Sequence, residues 1–298
     1  MELTDLHHFA HVAATGSFSR GAALSYVTTP AVSKAVRKLE EELGVRLFER
    51  TTRRVALTPP GQALLDRCER IFAELDSLRA ELDGSAGRVE GPIRIGAMEV
   101  LSIELLPRAL AGLMRAHSGL RPSTYEMVPA RMEAALREGR IELGLTVGGS
   151  DRDGLDAHEL GRSEGVLVCG RRHPLHGKKR VGARALREHA SVVPRFLGLE
   201  HLPSLDQFPD DEWPRTVGAT IELLQMGVRL CEEGVALGYF PEISVRAQLR
   251  DGRLQVLGGL PPRAPFVLRA LTRGGAPIRS ATRALIDELA AQVRRESR

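Results

Sequence analysis

Between residues 58 and 87 the chain carries a narrow apolar seam, the pattern of a helix that meets a partner helix or, as the alternative, packs on its own domain. Leu64, Cys68, Ile71, Leu75, Leu78 and Leu82 follow one another at steps of four, three, four, three and four, the spacing that keeps one stripe of an α-helix turned toward a partner helix. Thr58-Pro59-Pro60 provides a start, with Thr58 as cap and proline where a missing N–H costs little. Gly84-Ser85-Ala86-Gly87 provides an end and a hinge. At 1.5 Å per residue such a helix is about 35 Å long. It predicts pairing with a second copy of the chain, and it divides the sequence into a short N-terminal unit and a long C-terminal one.

The N-terminal unit alternates short helical patterns with tight punctuation. Leu6, Phe9, Ala10 and Ala13 recur at helical spacing and stop at Gly16, and a second short helix is expected from Phe18 to Tyr26. In a third, Thr28 is the expected N-cap, Pro30 lies in the first turn and Gly44 stands just past the end. Val32, Ala35, Val36, Leu39 and Leu43 form its apolar stripe, leaving Thr29, Ser33 and Arg37 at four-residue steps on another face. Leu47–Arg50 and Val55–Thr58 then read as two short strands around the basic turn Thr51-Thr52-Arg53-Arg54. Two helices, a third with a free polar face and a basic hairpin amount to a winged helix-turn-helix.

Beyond the hinge, strands and helices alternate. Strands are expected at Ile93–Ala97, Thr124–Val128 and Ile141–Thr146, with helices at Ile103–His117 and Ala130–Glu138, the alternation of a parallel sheet in an α/β domain. A second such unit runs from about Val166 to Pro262, with a helix over Ile221–Glu233 and a strand over Val235–Phe240. Strand Phe266–Leu271 and helix Ile278–Val293 return to the first, so two crossings join two lobes around a cleft. The expected division is 1–58, 59–88 and 89–298, with lobe I at about 91–161 and 267–298 and lobe II at about 162–266.

Composition narrows the function classes without naming one. Of 298 residues, 43% are apolar and 27% charged, ordinary for a folded protein, and the net charge of +4 is a mild basic excess compatible with nucleic acid. Cys68, Cys169 and Cys231 are too widely spaced for a disulfide framework or zinc site and read as reduced thiols. Met1-Glu2-Leu3-Thr4-Asp5 lacks the basic and apolar regions of a secretion signal, and no apolar run is long enough to span a bilayer, so the expected location is the cytoplasm, away from membrane. No nucleotide-binding glycine fingerprint, phosphate loop or zinc-protease motif appears, and no cofactor is expected. His7 and His11 share a helix face at metal-ligand spacing without a third ligand nearby, and read as solvent-facing side chains.

Three stretches carry a family resemblance. They are Phe9 with Val12-Ala13-Ala14-Thr15-Gly16-Ser17-Phe18-Ser19; Thr29-Pro30-Ala31-Val32-Ser33; and Leu39–Arg50 with Leu57-Thr58-Pro59 and Gly61. The sequence resembles the LysR-type transcriptional regulators densely over its first sixty-odd residues. Ile95-Gly96-Ala97, Leu106-Pro107 and Gly234–Pro241 extend the likeness weakly into the remainder. The resemblance implies an α/β protein with an N-terminal winged helix-turn-helix, a long linker helix and a C-terminal two-lobed effector domain similar to periplasmic solute-binding proteins. It implies double-stranded DNA as partner, a small-molecule effector between the lobes, a homodimer or homotetramer, RNA polymerase as a further partner, and no enzymatic activity. DNA contacts are expected from Thr28, Thr29, Pro30, Ser33, Lys34 and Arg37 on the third helix and from Arg50, Arg53 and Arg54 on the wing. Thr29 stands where the family often has glutamine. Effector contacts are expected from Met98, Glu99, Val100, Ser102, Thr146, Arg195 and Thr220, the last near a helix start. Family members often carry a small hydroxyl residue at the place of Val100 or Met98, and here a carboxylate, Glu99, sits between these two apolar side chains. A redox-responsive regulator using the cysteines and an α/β enzyme are the alternative readings.

Overall fold

A computed structural model of the protein describes residues 1–50, 55–82, 89–148, 153–196, 206–260 and 265–296. The basic turn at 51–54, with Arg53 and Arg54, and the hinge at 84–87 lie outside the described residues. Two compact units are present, residues 1–87 and, but for a short stretch at 138–140, residues 88–298.

In the first unit α1 (Leu3–Thr15), α2 (Phe18–Leu24) and α3 (Thr29–Leu43) precede β1 (Phe48–Arg50), β2 (Val55–Leu57) and α4 (Pro59–Leu82). Ser17 caps α2, its hydroxyl accepting from the Arg20 amide at 3.4 Å. Gly44 ends α3 at φ 67°, a left-handed turn that costs glycine little. Leu6, Phe9, Val12, Ala22, Val32, Val36, Leu39, Leu47 and Phe48 close a single core, where the Phe9 and Phe48 rings lie 5.2 Å apart. Leu43, expected on the buried stripe of α3, is exposed in the last turn. Tyr26, expected inside the second helix, instead follows it at φ 55° and is 95% exposed. The strands pair antiparallel, Phe48 opposite Leu57. Glu40 holds this wing to α3 by accepting from the Leu47 and Phe48 amides at 2.8 and 3.3 Å.

Thr58 caps α4 as expected, accepting from the Gly61 amide at 3.0 Å. The seam of α4 divides along its length. Cys68 is fully buried in the core of its own unit, with Leu64 packed against it, so it does not belong to an intermolecular seam. Phe72, on the same side, stacks on His7 at 3.8 Å. Ile71 and Leu78 are exposed. The first turns of the helix thus satisfy apolar surface locally, and an uncovered apolar edge remains further along.

The second unit runs β3 (Gly91–Ala97), α5 (Glu99–Glu104), α6 (Leu106–Ala116), β4 (Leu120–Glu126), α7 (Pro129–Arg137), β5 (Leu143–Val147), β6 (Leu155–Ser163), β7 (Gly165–Gly170), α8 (Ala183–Glu188), β8 (Ala190–Pro194), β9 (Thr216–Ile221), α9 (Leu224–Glu232), β10 (Leu237–Pro241), α10 (Arg246–Arg250), β11 (Leu254–Val256), β12 (Phe266–Arg273) and α11 (Ser280–Glu296). Its described strands form two open five-stranded sheets, ordered β4-β3-β5-β12-β6 and β11-β7-β10-β8-β9. Both are mixed where parallel sheets were expected. In lobe I, β3 is parallel to β4 and β5, whereas β12 runs antiparallel between β5 and β6. In lobe II, β8 is parallel to β9 and β10, whereas β7 is antiparallel to β10 and β11. The chain crosses between sheets after β6 and before β12, and a strand arriving from the other lobe enters in the opposite direction.

The helix expected over Ile103–His117 is two helices. Pro107 lies in the first turn of α6, where it cannot donate back to α5, and Leu105 marks the break. Likewise the stretch expected as helix from Ile221 ends β9 first, and α9 begins at Leu224. No helix among the described residues is long and apolar enough to cross a membrane.

Candidate functional site

Two places concentrate chemistry. On the first unit, Val32, Ala35, Val36 and Leu39 turn one face of α3 into the core, which fixes the opposite face outward. There Thr28, Thr29, Pro30, Lys34 and Arg37 are exposed and Ser33 is half-buried. Thr28 occupies the N-cap position, yet its side chain makes no capping bond, which leaves the hydroxyl free for an external group. Among the described residues Lys34 and Arg37 form no ion pair, in contrast to Lys38 one residue on, which holds Glu2 at 2.7 Å and Asp5 at 3.1 Å. Arg50 closes β1, at the end of the wing strand that leads into the basic turn. Exposed Tyr26 immediately precedes this surface; nothing in the spacing marks it, since it continues a helical pattern.

The second unit contains a cavity of about 350 Å³. Its walls come from the carboxyl ends of parallel strands in both sheets, where ligands of open α/β sheets gather. Met98, Glu99 and Val100 follow β3, Glu126 to Val128 follow β4, and Val147 ends β5; from the other sheet come Pro194 and Phe196 at β8, and Glu222 and Leu224 at β9. Asp206, Arg131, Pro241 and Phe266 complete the lining.

Of the expected effector contacts, Met98, Glu99 and Val100 line this cavity; Ser102, Thr146, Arg195 and Thr220 do not. Each of these four lies within two residues of one that lines it. Thr146 is fully buried and its hydroxyl donates to Met98 Sδ at 3.4 Å, while the next residue, Val147, reaches the cavity. Arg195 donates its amide to the Ile221 carbonyl at 2.9 Å, and the following Phe196 lines the wall. Thr220 is exposed within β9, three residues short of the N-cap of α9. Ser102 sits one turn into α5, its amide donating to the Met98 carbonyl at 3.0 Å. Successive strand residues face opposite sides, so a one-residue error in placing a strand end exchanges wall for core. Glu126, Met127, Val128 and Arg131 escaped the sequence argument, although they occupy the strand-to-helix junction after β4 that the same rule would have nominated.

Glu99 has a particular position. Its carboxylate accepts from the Leu224 amide and, at 3.3 Å, from the Gln225 amide, so it closes the N-terminus of α9 from across the cavity. Burial pushes its pKa above the ordinary carboxylate value; the two amide bonds oppose that rise and the neighbouring Glu126 charge adds to it. Asp206 of this lining forms a buried pair with Arg215 at 2.6 Å, with Asp210 bonded to the same guanidinium at 2.8 Å.

The cysteines have the character of core residues. All are buried, and burial raises the Cys169 thiol to about 11 and the Cys231 thiol to about 12. Neither carries appreciable thiolate at neutral pH, the form that reacts with oxidants. Among the described residues no group of histidine, cysteine or carboxylate side chains is arranged to hold a metal ion. His7 and His11, expected to face solvent, are engaged in packing: His7 on Phe72, and His11 by a 2.8 Å bond between Nδ1 and Ser25 Oγ.

The same division appears in comparison with known proteins. Residues 3–62 match the family described as bacterial regulatory helix-turn-helix protein, lysR family, and residues 86–294 match the LysR substrate binding domain. A probable hydrogen peroxide-inducible genes activator of Mycobacterium xenopi is 36% identical over 179 residues, 60% of this chain and 95% of that relative. A relative of the same description in Mycobacterium avium is 33% identical over 186 residues, 62% of this chain and 60% of its own length. The crystal structure of full-length CbnR complexed with its target DNA aligns over 99% of both chains with a TM-score of 0.68 at 21% identity, a likeness of fold. With its helix-turn-helix segment and its two-lobed remainder both matched, the chain belongs to the LysR family of bacterial helix-turn-helix regulators.

Proposed function

We propose that the protein is a sequence-specific DNA-binding transcription regulator, acting in the cytoplasm as a homodimer or homotetramer and controlled by a small molecule bound in the 350 Å³ cavity of its second unit. The observation that carries the first part is the outer face of α3, where exposed Lys34 and Arg37 form no ion pair among the described residues while the inner face is closed into the core. A helix N-terminus, hydroxyl groups and unpaired cations are the groups that take phosphates and base edges in a major groove. The wing, with Arg50, Arg53 and Arg54, adds phosphate or minor-groove contacts. CbnR, solved with its target DNA, has the same fold. Residues 1–58 then form the reading head, 59–88 the linker whose exposed Ile71 and Leu78 meet a second copy, and 89–298 the sensor.

A sensor alters a regulator only if its ligand binds two arrangements with different affinity, so the cavity is assigned a binding role without chemistry. RNA polymerase is the partner through which such a regulator would act. The test is a footprint on the DNA flanking the gene. Replacing Arg37 by alanine is expected to weaken binding; a phosphate contact would also lower the salt slope by about one, and a base contact would relax sequence preference. Unchanged affinity in Arg37→Ala and Lys34→Ala together would remove α3 as the reading helix. The peroxide-related names of two relatives favour redox sensing as a second reading. Its test is DNA binding by a chain with all cysteines replaced by serine: loss of a peroxide response there, present in the native chain, would establish it.

A further inference from the structure

We propose that Tyr26 is a DNA contact outside the reading helix, its ring against the sugar-phosphate backbone beside the groove that α3 enters and its phenol donating to a phosphate oxygen. This rests on the reading of α3 as the helix that reads DNA, and adds to its cations an uncharged contact directed at the backbone.

The turn that ends α2 has a backbone suited to glycine. The Tyr26 amide donates to the Ala23 carbonyl at 3.2 Å and the Val27 amide to the Ala22 carbonyl at 3.1 Å, the paired bonds of a Schellman turn, which holds one residue in the left-handed region. After α1 and α3 that region is occupied by Gly16 at φ 60° and Gly44 at φ 67°. After α2 it is occupied by Tyr26 at φ 55°, where a bulky side chain is strained. Packing does not offset the strain, since Tyr26 is 95% exposed, and Leu24 and Val27 beside it are exposed as well. A large ring held out in a strained turn has its use outside the fold. The surroundings say what kind of partner meets it. From Leu6 to Leu39 the chain contains no aspartate or glutamate, whereas Arg20, Lys34, Arg37 and Lys38 all fall in that stretch. Lys38 is held by Glu2 and Asp5, which leaves Arg20, Lys34 and Arg37 to set a positive field there. From Tyr26 the exposed surface continues through Val27, Thr28, Thr29 and Pro30 into the start of α3, and the Thr28 hydroxyl makes no capping bond. A positive surface without carboxylates fits a polyanion. An amphipathic tyrosine suits the edge of a duplex, where the apolar ring covers deoxyribose and the hydroxyl reaches phosphate.

The test titrates the full-length protein with two probes, the DNA flanking the gene and an unrelated duplex of equal length. Tyr26→Gly relieves the turn, so its Tm is expected to equal or exceed that of the native chain. Its affinity for both duplexes is expected to fall by at least about tenfold, and that of Tyr26→Phe, which keeps the ring and loses the phenol, by about three- to tenfold. The salt slope is expected to stay native in both variants, because an uncharged group releases no counterion. Native affinity in either variant would overturn the contact. So would a loss of affinity accompanied by a lower Tm, which would assign Tyr26 to the fold, or by a lower sedimenting mass without DNA, which would assign it to a contact between copies. A loss confined to the flanking DNA would make Tyr26 a reader of bases and overturn the backbone assignment. Native affinity in Tyr26→Gly with weakened binding in Arg37→Ala would remove this contact alone, whereas unchanged affinity in Arg37→Ala and Lys34→Ala would remove the α3 reading beneath it.

Discussion

Replacing Asp206 by alanine should destabilise lobe II far more than replacing Asp210, although both carboxylates touch the same arginine. The Arg215 side chain is 1% exposed and Asp206 is fully buried, while Asp210 is 40% exposed. Asp206 grips the guanidinium through both oxygens, at 2.6 and 3.1 Å, and also accepts from the Phe208 amide at 3.2 Å. The guanidinium in turn lies 4.2 Å from the centre of the Phe208 ring. Removing one partner of a buried pair costs about 3–5 kcal/mol, because the other charge stays behind without it. Asp210 keeps two bonds to Arg215 at 2.8 and 3.1 Å, which places the expected loss for Asp206→Ala at the low end, about 3 kcal/mol. Asp210→Ala removes a partner that water can replace and should cost about 1 kcal/mol or less. The assay is built into the chain, since its single tryptophan, Trp213, packs against the core of this lobe two residues from Arg215. Followed by Trp213 fluorescence in urea, with a slope of about 2 kcal/mol per molar, Asp206→Ala should move the midpoint down by about 1.5 M. Asp206→Ala combined with Arg215→Met should recover most of the loss, as apolar replacement of a whole buried pair is close to neutral. Equal shifts in the two single variants, or a double variant worse than Asp206→Ala, would refute the reasoning.

Other outcomes follow from single contacts. His173 is buried 5.0 Å from His189, and burial, then the neighbouring imidazole, lowers its pKa below 6.5. The unfolded chain therefore takes up that proton first, so the His173 contribution is intact above about 6.5 and is lost as pH falls toward the depressed folded value; the acid-side decline in Tm should flatten in His173→Gln. Exchanging exposed Leu78 for glutamate should leave the helical circular dichroism of the fold in place and lower the sedimenting mass, whereas native mass at low concentration would deny α4 its partner helix. A methyl group added at Gly61 would lie 2.0 Å from the Leu47 carbonyl oxygen, so Gly61→Ala should force the wing from α4 and lower Tm by several degrees, about 2–4 °C per kcal/mol for a chain of this size.

How far the sequence could be read depended on which physical signal each element rested on. The N-terminal unit was legible because its punctuation is chemical: Gly16, Thr58 and Gly44 sit where they were expected, and α3 buries Val32, Ala35, Val36 and Leu39. Helical period alone misled at Cys68, since one stripe on α4 serves two neighbours in turn and spacing does not say which. Sheet direction was illegible for a similar reason. A run such as Phe266–Arg273 is apolar whether its neighbours run with it or against it, and β12 gains its antiparallel place only from the crossing. At the cavity, loop positions were found to within a residue or two, but Thr146 and Arg195 fell beside the residues that line it. Polarity guided those choices, whereas the wall at these positions is apolar, with Val147 and Phe196.

The late arrival of β12 also orders the birth of the protein. Every described strand of lobe II lies between Gly165 and Val256, so that five-stranded sheet is in the chain before Phe266 has been made. Lobe I has no such continuity. Its sheet is divided until β12 slots between β5 and β6, and its core stays open until Ala281, Leu285, Leu289 and Val293 of α11 cover it. On a ribosome adding about 5–20 residues per second, a nascent chain therefore carries a finished second lobe beside a first lobe whose strands β5 and β6 have lost their central neighbour. A chain stopped short of β12 would expose those two strand edges, the kind of edge that recruits other chains. Synthesis through β12 and α11 is thus what converts lobe I from an aggregation hazard into one wall of the cavity.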